Sequence, residues 1–235
     1  MHEYYYFNNL DYSIHITDDT KSLTPYTFLD NNMLWENDSI LYFFKNIDKN
    51  KKCNIVDIGA QSGLYTLFAK YLPNSTFYSF EPFPKTYELL KKNIALNNIT
   101  NVKTYNIGIS NKKGSTVLNT CRSHNGLHTI GSNPIRFNDI NPINIEIDTL
   151  DNIFYYHDIC VDYIKIDTEG HEYFILQGGE KTIKKYRPMI QLEYNEINMQ
   201  QCNVLPNELN NLIHDLGYKK IEMISEELYI AHESI

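Results

Sequence analysis

Ile55-Val56-Asp57-Ile58-Gly59-Ala60-Gln61-Ser62-Gly63-Leu64-Tyr65-Thr66 reads as an apolar strand running into a glycine-bearing turn. The strand covers 54–58, and the pattern predicts an amphipathic helix over 64–71. Gly59 and Gly63 permit positive φ and a close approach of backbone to a ligand. The helix start offers free N–H groups. Phe77-Tyr78-Ser79-Phe80-Glu81 predicts a second strand with an acid at its end. That acid lies about 20 residues beyond the turn, where a nucleotide-binding βαβ unit sets a carboxylate against a ribose diol. Together the two signals describe a pocket for an adenosine-containing cofactor.

The dinucleotide fingerprint needs Gly-x-Gly-x-x-Gly, so that a pyrophosphate can lie on bare backbone. Here Asp57, Gly59, Gln61 and Gly63 leave the turn one glycine short and put an acid before it. An acid suits a cationic amino group and poorly suits a pyrophosphate. S-adenosylmethionine carries an ammonium, a carboxylate and a ribose, without phosphate. The stretch therefore reads as a methyl-donor site, and a nicotinamide oxidoreductase is disfavoured. The plainer alternative is a βα turn with a capping Asp.

A chain of 235 residues fits one α/β domain with a sizeable core. The net charge of −8 argues against general nucleic-acid binding, which needs clustered Lys and Arg. The arginines are Arg122, Arg136 and Arg187. Cys53, Cys121, Cys160 and Cys202 show no CxxC spacing, so free thiols in a reducing, cytoplasmic setting are expected, without zinc. The amino terminus shows no signal-peptide pattern, and no stretch approaches a membrane span. Heavy use of Asn, Ile, Lys and Tyr points to an AT-rich genome. Nothing fixes an oligomeric state.

Residues 1–33 read as a cap or lid, with short strands around Tyr12–Thr17, and 34–235 as the main domain. Helical spacing covers Leu34–Ile47. From Asn54 strands and helices alternate: a helix over Pro84–Asn97, then a strand over Val102–Asn106. Residues 108–145 break the alternation and read as a long irregular segment up to a strand near Ile143–Ile147. A short helix starts within Asp148–Asp151. A core strand over Val161–Asp167 is followed by a helix over Glu172–Tyr186 and a strand over Pro188–Tyr194. A helix over Asn207–Leu216 ends at Gly217, and a hairpin closes the chain. This order predicts a doubly wound, mostly parallel, Rossmann-like sheet with an antiparallel edge.

Val56-Asp57-Ile58-Gly59-Ala60-Gln61-Ser62-Gly63, Phe80-Glu81-Pro82, Asp148-Thr149-Leu150-Asp151 and Ile164-Lys165-Ile166-Asp167-Thr168-Glu169-Gly170-His171-Glu172 resemble the FkbM family of S-adenosylmethionine-dependent methyltransferases. The resemblance covers about residues 34–200, in order. It implies a class I methyltransferase fold and, usually, transfer to a hydroxyl oxygen of a sugar or natural product. The family commonly has Asn where this chain has Gln61, and an apolar or small residue where it has His171.

Ligands of open α/β sheets bind at the carboxyl ends of the strands, where Asp57, Glu81, Asn106 and Asp167 fall. Glu81 is the expected acceptor for both ribose hydroxyls, beside Pro82. Phe83 either flanks the adenine or packs in the core. Asn106 and Ile107 follow the third strand, beside the adenine position. Asp167, Glu169 and His171 are placed near the transferable methyl, with His171 suited to a base near neutrality. Glu193, ending the next strand, is a further candidate near the acceptor. Lys165 is expected to neutralise Asp167. Asp167, Glu169 and Glu193 are also donors for a divalent cation, a reading that their sequence separation does not favour. His124 and His128 contact substrate or stand as exposed loop histidines. A small-molecule or carbohydrate acceptor is expected. The alternatives are a catalytically silent cofactor-binding module, and an RNA ribose 2'-O-methyltransferase, whose Lys–Asp–Lys–Glu set Lys165, Asp167 and Glu193 faintly resemble.

Overall fold

Ile55, Val56 and Ile58 are wholly buried, as a strand covered on both faces demands. They belong to the central strand in a computed structural model that describes residues 2–7, 12–17, 37–121, 126–132, 134–136 and 138–232. The chain runs β1 (His2–Phe7), β2 (Tyr12–Thr17), α1 (Asn37–Lys45), β3 (Asn54–Ile58), a 3₁₀ helix (Thr66–Tyr71), β4 (Thr76–Phe80), α2 (Pro84–Leu96) and β5 (Val102–Tyr105). It continues through β6 (Gly108–Ile109), β7 (Gly114–Cys121), β8 (Ile140–Asp148), a π-helical turn (Asp151–Tyr155), β9 (Tyr163–Ile166), α3 (Glu172–Gly178) and α4 (Glu180–Tyr186). β10 (Met189–Glu193), α5 (Glu196–Gln201), α6 (Pro206–Asp215), β11 (Tyr218–Ile224) and β12 (Glu227–His232) complete it.

The main sheet has the order β11-β12-β10-β9-β3-β4-β5. β3 pairs in parallel with both β4 and β9, and β12 pairs antiparallel with β10. The chain thus leaves β3 toward one edge and returns to its other side. That reversal opens a crevice at the carboxyl ends of β3 and β9. Side-chain alternation sends Val56, Ile58, Ile164 and Ile166 to the face covered by α3 and α6. Ile55, Phe77 and Tyr229 face α1 and the 3₁₀ helix.

Several elements differ from the sequence expectation. The stretch after the glycine turn is a short 3₁₀ helix with Thr66, Leu67, Phe68 and Ala69 all buried, because α1 covers its outer side. Residues 114–121 and 140–148 are paired antiparallel strands within a second sheet, β6-β8-β7. Only Leu118, Ile145 and Ile147 of that sheet form a buried apolar cluster, so its pattern reads as polar loop. The helix expected over 172–186 breaks at Gly178-Gly179. A Cβ on Gly178 would stand 2.0 Å from the Ser110 carbonyl, so backbone packs directly on backbone there. α5, not expected, is capped by Asn195, whose side chain accepts from the Ile197 and Asn198 N–H groups. β1 and β2 pair with each other, and β2 lies against α2. The rest of the 1–33 segment, with Leu34–Glu36, falls outside the described residues.

Gly59 fixes the central junction. Its φ is +76°, and a Cβ there would stand 1.8 Å from the Asp167 carbonyl oxygen. Gly59→Ala is expected to lose about 1–3 kcal/mol from the left-handed backbone alone, with the overlap adding to it. Urea unfolding with an unchanged midpoint would contradict this packing.

Candidate active site

The turn after β3 is held by backbone: the Gly59 and Ala60 N–H groups both donate to the Phe80 carbonyl at 3.0 Å. Glu81 ends β4 and joins this turn to the start of α2. Its Oε2 accepts from the Gln61 N–H at 2.9 Å and its Oε1 from the Phe83 N–H at 2.8 Å. Burial pushes the Glu81 carboxyl up to about 7, against the lowering effect of those two hydrogen bonds. Asn106 donates to the Glu81 and Pro82 carbonyls, bracing the turn after β4.

An open cleft, about 650 Å³ with the solvent at its mouth counted in, lies at this point. Gly59, Gln61, Glu81, Pro82 and Ile107 line one part of it, and Asp167, Glu169 and His171 another. The second sheet contributes Leu118, and Ile130 and His128 come from the segment behind it. His128 accepts from the Cys121 N–H at 3.1 Å and meets Phe83 edge-on at 4.6 Å, and burial pushes its pKa down to about 4. It is therefore not a free loop histidine; His124 lies outside the described residues.

Asp57, Gly63, Phe83, Asn106 and Glu193 do not line the cleft. Asp57 points to the face covered by α1, where Thr66 Oγ1 donates to it at 2.6 Å. It supports the turn from beneath and is not part of the cleft lining. Burial raises its pKa, opposed chiefly by Lys165. Lys165 is buried, pairs with Asp167 at 3.1 Å, as the sequence suggests, and lies over the Tyr65 ring.

The acidic loop after β9 turns sharply, with φ of 57° at Glu169 and 104° at Gly170. Glu172 is buried and accepts from the Thr168 N–H and hydroxyl, which fixes the loop. Glu169 accepts from Arg136 and from Asn198, both at 2.8 Å. Asn198 also donates to Glu193 Oε1 at 2.8 Å. Arg136, Asn198 and Glu172 escaped the sequence reading as site residues. Glu172 carries the one available signal, an acid three residues beyond Glu169. Asp167, Glu169 and Glu193 each offer a carboxylate oxygen within 4.8 Å of the others, so the fold brings the distant Glu193 to the two acids of one loop. Burial pushes Glu169 up to about 8 and Glu172 up to about 7, and the acids raise one another further. His171 differs from expectation: burial pushes its pKa down to about 4, Nε2 faces the Ser110 hydroxyl at 3.0 Å, and the ring stacks on Phe174. It is a neutral wall of the cleft and not a base tuned to neutrality.

Residues 57–220 match the family model of the Methyltransferase FkbM domain. The chain belongs to this family. It is 29% identical over 156 residues to Methyltransferase sdnD of Sordaria araneosa, covering 54% of this chain and 60% of that protein. It is 35% identical over 65 residues to Methyltransferase 1 of Beauveria bassiana (strain ARSEF 2860), covering 27% of this chain and 26% of that one. The chain thus spans less than two thirds of the length of either relative. Its fold is similar to the crystal structure of Methyltransferase FkbM from Methylobacillus flagellatus KT, with a TM-score of 0.52 at 14% identity, over 77% of this chain and 44% of that chain. A ribosomal protein L11 methylase from Lactobacillus delbrueckii subsp. bulgaricus gives 0.50 at 10% identity, over 87% and 83%. The fold is that of class I S-adenosylmethionine-dependent methyltransferases. Among the described residues there is no disulfide, and no helix is long and apolar enough to cross a membrane.

The buried acids set a pH dependence. Glu81 and Glu172, at about 7, and Glu169, at about 8, keep protons in the folded protein that the unfolded chain, titrating near 4.5, has released. Stability therefore falls as pH rises through these values. His128 and His171 act in the opposite direction, but only below their unfolded value of 6.5. Between pH 6.5 and 8 the cofactor-free protein is expected to lose on the order of 3 kcal/mol. A thermal midpoint that rises across this window would contradict the assignment.

Proposed function

We propose that this protein transfers the methyl group of S-adenosylmethionine to a hydroxyl oxygen of a sugar, glycan or small natural product. The observation that carries this reading is one cleft lined by Glu81 on one side and by Asp167 and Glu169 on the other. Glu81 is already pinned by two N–H groups, so its remaining lone pairs point a fixed acceptor at the ribose diol. Gly59 and Gln61 bring the turn's backbone alongside the cofactor.

Asp167 and Glu169 orient the acceptor. The hydroxyl oxygen forms the new O–CH₃ bond, the C–S bond breaks with its electron pair going to sulfur, and the sulfonium becomes the thioether of S-adenosylhomocysteine. The hydroxyl proton passes to a carboxylate and on to water. Positioning supplies much of the rate, and a base contributes about 10²–10⁴-fold. The acidic chain favours a neutral or cationic acceptor over nucleic acid. Lys165 is buried beneath Asp167 and away from the cleft lining, which gives the RNA ribose reading no support.

Two variants separate binding from chemistry. Glu81→Ala is expected to weaken S-adenosylhomocysteine by about 2–4 kcal/mol. Asp167→Asn is expected to keep that affinity within about 3-fold while turnover on an accepted sugar falls about 10²-fold or more. Calorimetry and methyl-uptake assays on folded variants check both. Unchanged affinity in the first removes the ribose role, and unchanged turnover in the second removes Asp167 from the chemistry.

A further inference from the structure

Glu193 is 7% exposed, and its Oε2 is buried without a hydrogen-bond partner among the described residues. Neither protonation state satisfies it. As a carboxylate it stands against Asp167, Glu169 and Glu172, all of which raise its pKa after burial itself. As an acid it has an O–H with no acceptor. A buried polar atom left in this way calls for a partner, a water or an ion. Its neighbours say which kind. Asp167 and Glu169 each offer an oxygen within 4.8 Å of that of Glu193 and of each other. Four carboxyl groups, counting Glu172, stand beside two cationic side chains, Lys165 on Asp167 and Arg136 on Glu169.

We propose that Asp167, Glu169 and Glu193 bind one divalent, oxygen-preferring cation. An all-carboxylate donor set selects a hard ion such as Ca²⁺, Mg²⁺ or Mn²⁺ over soft metals. Oxygens no more than 4.8 Å apart can share one ion at the Ca²⁺ distance of about 2.4 Å if the widest pair lies on opposite sides of it. Asn198 holds Glu169 and Glu193 in this arrangement through one amide nitrogen. Two of the three donors also line the cleft, and Glu193 stands behind them. Resting on the function proposed above, an ion held by these three acids would make a hydroxyl bound beside it more acidic, and the proton would leave through a carboxylate to water as the oxygen takes the methyl group from sulfur.

The test is a Mn²⁺ titration of the full chain followed by electron paramagnetic resonance, with and without S-adenosylhomocysteine. One strong Mn²⁺ per chain is expected, displaced by Ca²⁺ or Mg²⁺. Glu193→Gln and Asp167→Asn, checked for folding by circular dichroism, should each weaken it at least 10-fold, and Glu193→Gln should leave S-adenosylhomocysteine affinity unchanged. Mn²⁺ binding that is absent, or equal in wild type and both variants, overturns the cation site. If S-adenosylhomocysteine still binds in that case, the methyltransferase reading stands without it. Strong, Glu193-dependent Mn²⁺ binding without S-adenosylhomocysteine binding leaves the cation site and removes the cofactor reading.

Discussion

The contact between Gly59 and the Asp167 carbonyl sets the geometry of everything at the cleft. It presses the turn after β3 against the loop after β9, backbone on backbone, with no room for a side chain between them. β3 and β9 are adjacent parallel strands, and the Asp167 N–H continues their ladder by donating to Ile58. The last paired residues therefore deliver both loops to the same point. Glu81 adds the third loop, binding Gln61 and Phe83 through separate oxygens. Glu81, Asp167 and Glu169 thus become walls of one cleft through main-chain geometry.

Beneath the cleft lies a polar row that a buried sheet would not carry without reason. Ser79, Asp57, Lys165 and Gln191 are neighbours in register across β4, β3, β9 and β10. All four are buried on the face that α1 and the 3₁₀ helix cover. Thr66 bridges Asp57 and Ser79, Lys165 reaches Asp167, and Gln191 donates to Tyr65 and Glu227. Burying charge is costly unless it is paired. Here the charges sit one layer below the site, where Lys165 balances Asp167 and Thr66 anchors the turn through Asp57. The row links the acidic loop to the glycine turn electrostatically, as the Gly59 contact links them sterically.

The Glu81 side of the cleft was legible in the sequence because its signals are local. A strand, a glycine turn and an acid closing the next strand fall within about 30 residues, the scale of one βαβ unit. The acidic side was only half legible. Asp167 and Glu169 stand out in one loop, but Glu193 joins them through β10, Asn198 through the short α5, and Arg136 from a segment without periodicity. Strand alternation also hid two facts: Asp57 turns away from the cleft, and His171 is buried against Phe174. The second sheet escaped notice because its few inward apolar residues are spaced among polar ones. No single-strand pattern reports that Leu118 and Ile147 share a cluster.

The central claim is that the cleft beside Glu81 takes S-adenosylmethionine. Calorimetric titration of the wild-type chain with S-adenosylhomocysteine, and separately with NAD, tests it most directly. The account predicts saturable binding of S-adenosylhomocysteine at one site per chain and no measurable heat from NAD. Binding of NAD, or no binding of S-adenosylhomocysteine by the folded protein, would contradict it.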